Sequence, residues 1–300
     1  MTTTPKPVVV KKRAIVPIPD NIKAEYKIEG IAQRSRFIHI LLSAPGGQGK
    51  TTFFGTTAKQ ILDDNGEGNI PVPNLLVIEF DPFGEDTLID MKVGYDIVRP
   101  KSIQELEYLV KFLHSSGADQ YDVIALDAYN KMCEILYDAI LEYAKTLPQR
   151  TPHDLEILEL RDYNRFYKRL RVLNESILSL KKHVIFTCIA ALKDKPSELW
   201  KEKQDRAQIQ SLMVDGKMAH ILSTQFSLHG IMERRGAGSN IHVDTKFTEF
   251  NSESKTRFRI KGTFEDMTFP DLLTEMNLND PSFRRIKWKH DEKGFLPELV

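Results

Sequence analysis

Phe37-Ile38-His39-Ile40-Leu41-Leu42-Ser43-Ala44-Pro45-Gly46-Gly47-Gln48-Gly49-Lys50-Thr51-Thr52 decides how this chain is read. The first six residues are apolar enough for a buried strand, and the stretch from Lys50 to about Asp63 has the composition and spacing of a helix. Strand, glycine-rich turn, Lys-Thr and helix together form the context in which such a loop holds phosphate. Glycines let the backbone curl so that several N–H groups aim at one anion. The helix N-terminus adds roughly half a positive charge. The ammonium of Lys50 can reach β- and γ-phosphates, and the hydroxyl of Thr51 can serve as a ligand for Mg²⁺. The pattern usually begins with Gly; here the position is Ala44, whose Cβ is small. The candidate nucleotide-binding residues are therefore Ala44, Pro45, Gly46, Gly47, Gln48, Gly49, Lys50, Thr51 and Thr52. The alternative, a glycine-rich turn that binds nothing, is disfavoured by the strand and helix on either side.

Three more stretches carry chemistry. Tyr121-Asp122-Val123-Ile124-Ala125-Leu126-Asp127 is an apolar strand that ends in a carboxylate. Beside a phosphate loop, Asp127 can hold Mg²⁺ through water; alone it would read as a turn-forming Asp. Leu76-Val77-Ile78-Glu79-Phe80-Asp81-Pro82-Phe83-Gly84 ends another strand with two acids, and alternation puts Glu79 and Asp81 on one face. One of them can orient an attacking water; Asp81, nearer the strand end, is preferred. Asp81-Pro82 also opens a turn with Gly84 at its fourth position, which is compatible with that role. Lys255-Thr256-Arg257 puts two cations on one face of a strand. They are either the charges of a protected edge strand or a pair reaching across a subunit interface to a neighbour's γ-phosphate.

Between these stretches the chain alternates strand and helix. Strands are expected at Phe37–Leu42, Leu75–Phe80, Tyr95–Val98, Val123–Asp127 and His183–Ile189. A helix is expected from Ser102 to His114, with Ser102 and Glu105 as a capping box. Helical sequence then runs from Asn130 to Leu180, broken at Leu147-Pro148 and restarting at Thr151-Pro152-His153-Asp154. This alternation argues for an α/β fold with a mainly parallel sheet covered on both faces. Lys193–Gln210 reads as a polar loop and Met218–Leu222 as a short helix. Phe226–Arg234, Ile241–Phe250 and Thr256–Lys261 read as strands of an antiparallel extension, the first two joined by a flexible tip at 235–239. The expected domains are a tail at 1–30, a core at 31–276 with its β-rich extension from about 224, and a tail at 277–300.

Bulk composition narrows the classes. The chain has 300 residues, 41% of them hydrophobic, and 42 Lys+Arg balance 42 Asp+Glu. A strongly basic field is absent, so any nucleic-acid contact must come from local patches. Two such stretches combine cations with aromatics: Lys193 to Arg206 around Trp200, and Phe283-Arg284-Arg285-Ile286-Lys287-Trp288-Lys289-His290. A solvated tail or loop is the default reading of each. Two cysteines, Cys133 and Cys188, fit neither a disulfide framework nor a zinc site. No run approaches the roughly 18 apolar residues of a membrane span, and the N-terminus lacks a signal-peptide core, so a cytoplasmic protein without a membrane partner is expected.

The order of these parts, with Val184-Ile185-Phe186-Thr187, Asp215-Gly216-Lys217-Met218-Ala219 and the late Lys255-Thr256-Arg257, resembles the phage-encoded RecA-like P-loop ATPases that accompany single-strand annealing proteins. The resemblance covers about residues 35–275. It implies a RecA-like core, hydrolysis of ATP with Mg²⁺, assembly into rings or filaments in the host cytoplasm, and single-stranded DNA as partner, with an annealing or single-strand-binding protein nearby. By position it implies Lys50 and Thr51 at phosphate and metal, Asp127 as the second metal-site acid, Asp81 in place of a catalytic Glu, and Lys255 and Arg257 as a trans-acting pair. The chain departs from the pattern at Asp81, which is shorter than Glu, and at Thr187-Cys188, where a polar sensor is usual. Pro45 to Thr52 followed by Asp81-Pro82-Phe83-Gly84 also looks like the DNA-partitioning ATPases. Those carry a signature lysine where this chain has Pro45, and they have no place for the late Lys-x-Arg. A nucleotide-gated scaffold with little hydrolysis is the third reading.

Overall fold

Residues His39–Ala44 form strand β1, the axis of the fold. It pairs in parallel with β7 (His183–Asp194) on one side and β9 (Leu228–Arg234) on the other. The computed structural model describes residues 37–62, 68–72, 74–81, 84–148, 157–194, 208–212, 222, 224–234, 241–244, 255–256, 263–278, 283, 286–291 and 294–299, all within the unit Phe37–Val300. Beyond β7 lie β6 (Val123–Asp127), β4 (Leu75–Glu79) and β5 (Tyr95–Val98), so the order β9-β1-β7-β6-β4-β5 is parallel throughout. Past β9 the sheet turns antiparallel through β10 (Ile241–Asp244) and β12 (Thr263–Glu265), with β11 (Lys255–Thr256) also on β9. The fold is α/β, as the strand–helix alternation predicts, with the antiparallel extension at its C-terminal side.

Parallel strands covered on both faces need continuous apolar runs, and alternation divides each run between two cores. Leu41, Leu76, Ile78, Ile124, Leu126 and Phe186 join one core with α3 (Ile103–His114), α4 (Tyr129–Lys145) and α5 (Leu160–Leu178). Ile40, Leu42, Leu75, Val77, Ala125 and Ile185 join the other, with α1 (Lys50–Gly55), α2 (Asp86–Asp90) and α6 (Phe269–Glu275). Each fully buried Leu, Ile or Phe contributes roughly 1.5–3 kcal/mol.

The structure differs from the sequence expectations in several elements. The helix after the glycine-rich loop ends at Gly55, not near Asp63. The hydroxyls of Thr56 and Thr57 donate to Phe53 O and Phe54 O, each at 2.6 Å, and compete with helical bonding there. A hairpin of β2 (Lys59–Leu62) and β3 (Gly68–Val72) follows. Ser102 caps α3 by accepting from Glu105 N, but the Glu105 carboxylate accepts from Lys101 N instead of closing the box. α5 starts at Leu160, where Glu159 and Asp162 cap it reciprocally; the expected restart at 151–154 lies outside the described residues. β7 runs on to Asp194 and its end pairs with β8 (Gln208–Leu212), where a loop was expected.

The C-terminal stretch read as a tail carries β13 (Ile286–Asp291) and β14 (Gly294–Leu299), an antiparallel pair. Phe283 and Trp288 are only 6% and 3% exposed, and Phe283 packs edge-on against Phe269 and His183. These aromatics belong to the core, which corrects the default reading of this stretch as a solvated tail and leaves neither ring free to stack on bases. The hairpin tip 235–239, most of the expected helix 218–222, Trp200 and residues 245–250 and 257–261 lie outside the described residues. Among the described residues, no helix is long and apolar enough to cross a membrane.

Candidate nucleotide-binding site

From β1 the chain proceeds to β4 on one side, whereas from β7 the next parallel strand is β9 on the other. Where neighbouring strands lead in opposite directions a crevice opens outside their carboxyl ends, and ligands of open α/β sheets bind there. A cleft of about 430 Å³ occupies that place. It is lined by every residue from Gly46 to Thr52, by Asp81, Gly84 and Thr87, and by Asp127, Ala128 and Ile189.

The loop owes its shape to glycine. Gly47 and Gly49 hold φ of +71° and +88°, and Gly49 is the residue that caps α1. A Cβ in that region costs roughly 1–2 kcal/mol. Ala44 and Pro45, named with the loop as ligand-binding residues, do not line the cleft. Their carbonyls accept from Lys50 Nζ, each at 2.9 Å, so the lysine is tied to its own loop. Burial lowers the Lys50 pKa, and nearby Asp127, Cys188 and Asp81 oppose that shift.

Asp127 ends β6 and faces the loop across β7. Its Oδ2 accepts from Thr51 Oγ1 at 3.2 Å, and its Oδ1 accepts a hydrogen bond from Thr187 Oγ1 on the intervening strand. The carboxylate is 6% exposed, and burial pushes its pKa up against the hydrogen bonds from Thr187 and Thr51 and the charge of Lys50. Thr51 and Asp127 thus offer hard oxygen donors side by side, the donor chemistry that Mg²⁺ takes together with phosphate oxygens and water. The residues fit that ion. They would hold it, and it would neutralise charge on the phosphates. Thr187 is part of this cluster.

A second carboxylate stands beside Asp127 in the sheet. Glu79, the last residue of β4, pairs in register with Asp127 and is 2% exposed. Burial raises its pKa, while the hydrogen bond and charge of Arg99 pull it down. Glu79 does not line the cleft; Asp81 does. The expected turn is closed by a bond from Gly84 N to Asp81 O at 3.2 Å. A Cβ on Gly84 would stand 3.0 Å from Glu79 Oε1 and 3.1 Å from Asp127 Oδ2, so a side chain there would make these carboxylates give way by a few tenths of an ångström.

Lys255 lies in β11, in register with His229 of β9, and Arg257 lies outside the described residues. His229 is buried, and its Nε2 is 2.9 Å from Ser43 Oγ at the head of the glycine-rich loop. Sequence reasoning missed Thr87, Ala128, Ile189 and Arg99. Their types carry no signal of their own: the strand order brings Thr87, Ala128 and Ile189 to the cleft, and Arg99 pairs with Glu79 and Glu85 beside it. Asn130, whose Oδ1 accepts from Ile189 N at 2.6 Å and so fixes that wall of the cleft, was equally silent.

Neither a family model nor a curated protein matches the chain. Among solved structures the fold is similar to a KaiC-like protein from the hyperthermophilic archaeon Pyrococcus horikoshii OT3, at 11% identity and TM-score 0.39, covering 87% of this chain and 88% of that one.

Proposed function

We propose that the chain is a P-loop ATPase that binds ATP with Mg²⁺ and hydrolyses it. One observation carries this reading: the glycine loop with Lys50 and Thr51, Asp81, and Asp127 come from three separate stretches of sequence and line a single cleft at the switch point of the sheet. Loop N–H groups and Lys50 bind the phosphates. Lys50 must first exchange its bonds to Ala44 and Pro45 for phosphate oxygens. Thr51 and Asp127 hold Mg²⁺, and Asp81 accepts the proton of the attacking water.

The finer reading is a RecA-like motor that acts on single-stranded DNA in phage recombination, annealing or replication, as a ring or filament. Its support is the order of parts, from the phosphate loop through Gly216-Lys217-Met218-Ala219 to Lys255-Thr256-Arg257. The register of Lys255 with His229, one strand from the phosphate loop, adds to it. Lys255 and Arg257 then complete a neighbour's site. Steady-state ATP turnover with and without single-stranded DNA, at stated salt, tests both levels. Turnover that rises with DNA supports the motor. Turnover indifferent to DNA over a range of salt refutes the motor and keeps the ATPase, and no turnover at all refutes both.

A further inference from the structure

One guanidinium clasps both ends of the turn that carries Asp81. Arg99 follows β5. Its Nε donates to Glu79 Oε2 at 2.6 Å and its Nη2 pairs with Glu85. Glu79 closes β4 before the turn, and Glu85 stands at the head of α2 after it. Between them Gly84 N bonds to Asp81 O. The other groups that bear on Glu79 and Glu85 are Asp127 on β6 and the Tyr95 phenol on β5. An isolated surface ion pair contributes little. Here one carboxylate is buried and the planar fork spans two acids, an arrangement a lysine ammonium would not reproduce.

We propose that Arg99 is a positioning residue, fixing the turn that presents Asp81 to the cleft by holding Glu79 before it and Glu85 after it. Arg99 touches neither nucleotide nor metal in this role. The kinetic consequence rests on the ATPase reading, whereas the structural consequence does not. Two measurements therefore go together: ATP turnover, and hydrogen–deuterium exchange of the segment 80–85.

In Arg99→Gln, kcat falls about 10- to 100-fold, the loss that a misplaced catalytic group of about 1 Å produces, while KM for ATP stays within about twofold. The Gly84 amide exchanges about tenfold faster or more, and the amides of β6 keep their protection. Glu85→Gln leaves the buried Glu79 paired, so it opens one end of the clasp without stranding a charge. It gives the same pattern at smaller amplitude, and Arg99→Lys falls between wild type and Arg99→Gln. Unchanged kcat with unchanged exchange at Gly84 in both Gln variants overturns the proposal, as does a KM that rises in step with the fall in kcat. If wild type shows no turnover, the ATPase reading fails by itself and exchange decides the clasp: faster exchange at Gly84 in the variants upholds it, and equal exchange overturns it.

Discussion

On the ATPase reading Asp127 is under two opposing demands, because a buried carboxylate is costly by itself and would be required with Mg²⁺. Its folded pKa is raised above the unfolded value, so the folded chain holds a proton that the unfolded chain has already released. Stability therefore falls as pH rises from the ordinary aspartate range to the raised value, and above it the penalty is complete. Asp127→Asn is expected to raise Tm at neutral pH by roughly 2–4 °C, the shift that about 1 kcal/mol produces in domains of comparable size. The same variant loses Mg²⁺-dependent nucleotide binding. In wild type, Mg²⁺-nucleotide affinity strengthens as pH rises through that window, since the ion requires the ionised carboxylate. Thermal melts and fluorescent-nucleotide titrations from pH 5 to 8 check both signs; a variant that melts lower and binds as wild type would contradict the assignment.

At the scale of elements, the glycine-rich loop was legible because each part has a local cause. Gly47 and Gly49 need positive φ, and Lys-Thr must follow at the helix start. Gly49→Ala is expected to cost roughly 1–2 kcal/mol and to weaken ATP binding at least about tenfold, since one displaced N–H loses a charge-assisted bond. Urea denaturation and calorimetric titration measure the two. The core strands were legible for the same kind of reason, as continuous runs such as Val123 to Leu126 suit only a strand buried on both faces. The end of α1 was not, because Thr56 and Thr57 terminate it through side-chain bonds that helical spacing does not record. The β13–β14 hairpin was missed because its cations made the stretch read as a solvated tail, whereas Phe283 before it and Trp288 within it pack into a core built from distant residues. Within the site, Lys50, Thr51, Asp81 and Asp127 announce themselves by position, whereas Arg99 and Asn130 matter only through the order of the strands.

For the whole molecule, the sheet is the device that gathers the site, and Phe186 is central to it. Its ring stacks with Tyr129 at 5.5 Å and meets Phe226 edge-on at 5.0 Å, with no exposure. Phe186→Ala is expected to cost about 3–5 kcal/mol, read as a lower urea midpoint, and to loosen the adjacent Thr187–Asp127 contact. Assembly has its own test. If Arg257 acts in trans, mixing Lys50→Ala with Arg257→Ala subunits restores part of the turnover that each lacks alone; a mixture as inactive as its components argues against a shared site. The most direct measurement is Mg²⁺-dependent ATP turnover by wild type beside Lys50→Ala, with circular dichroism confirming that both are folded. The account predicts turnover in wild type and a loss of at least about 100-fold in the variant, as expected when a preorganised charge at the phosphates is removed. Equal turnover in the two proteins, or a wild type that neither binds nor hydrolyses ATP, would contradict it.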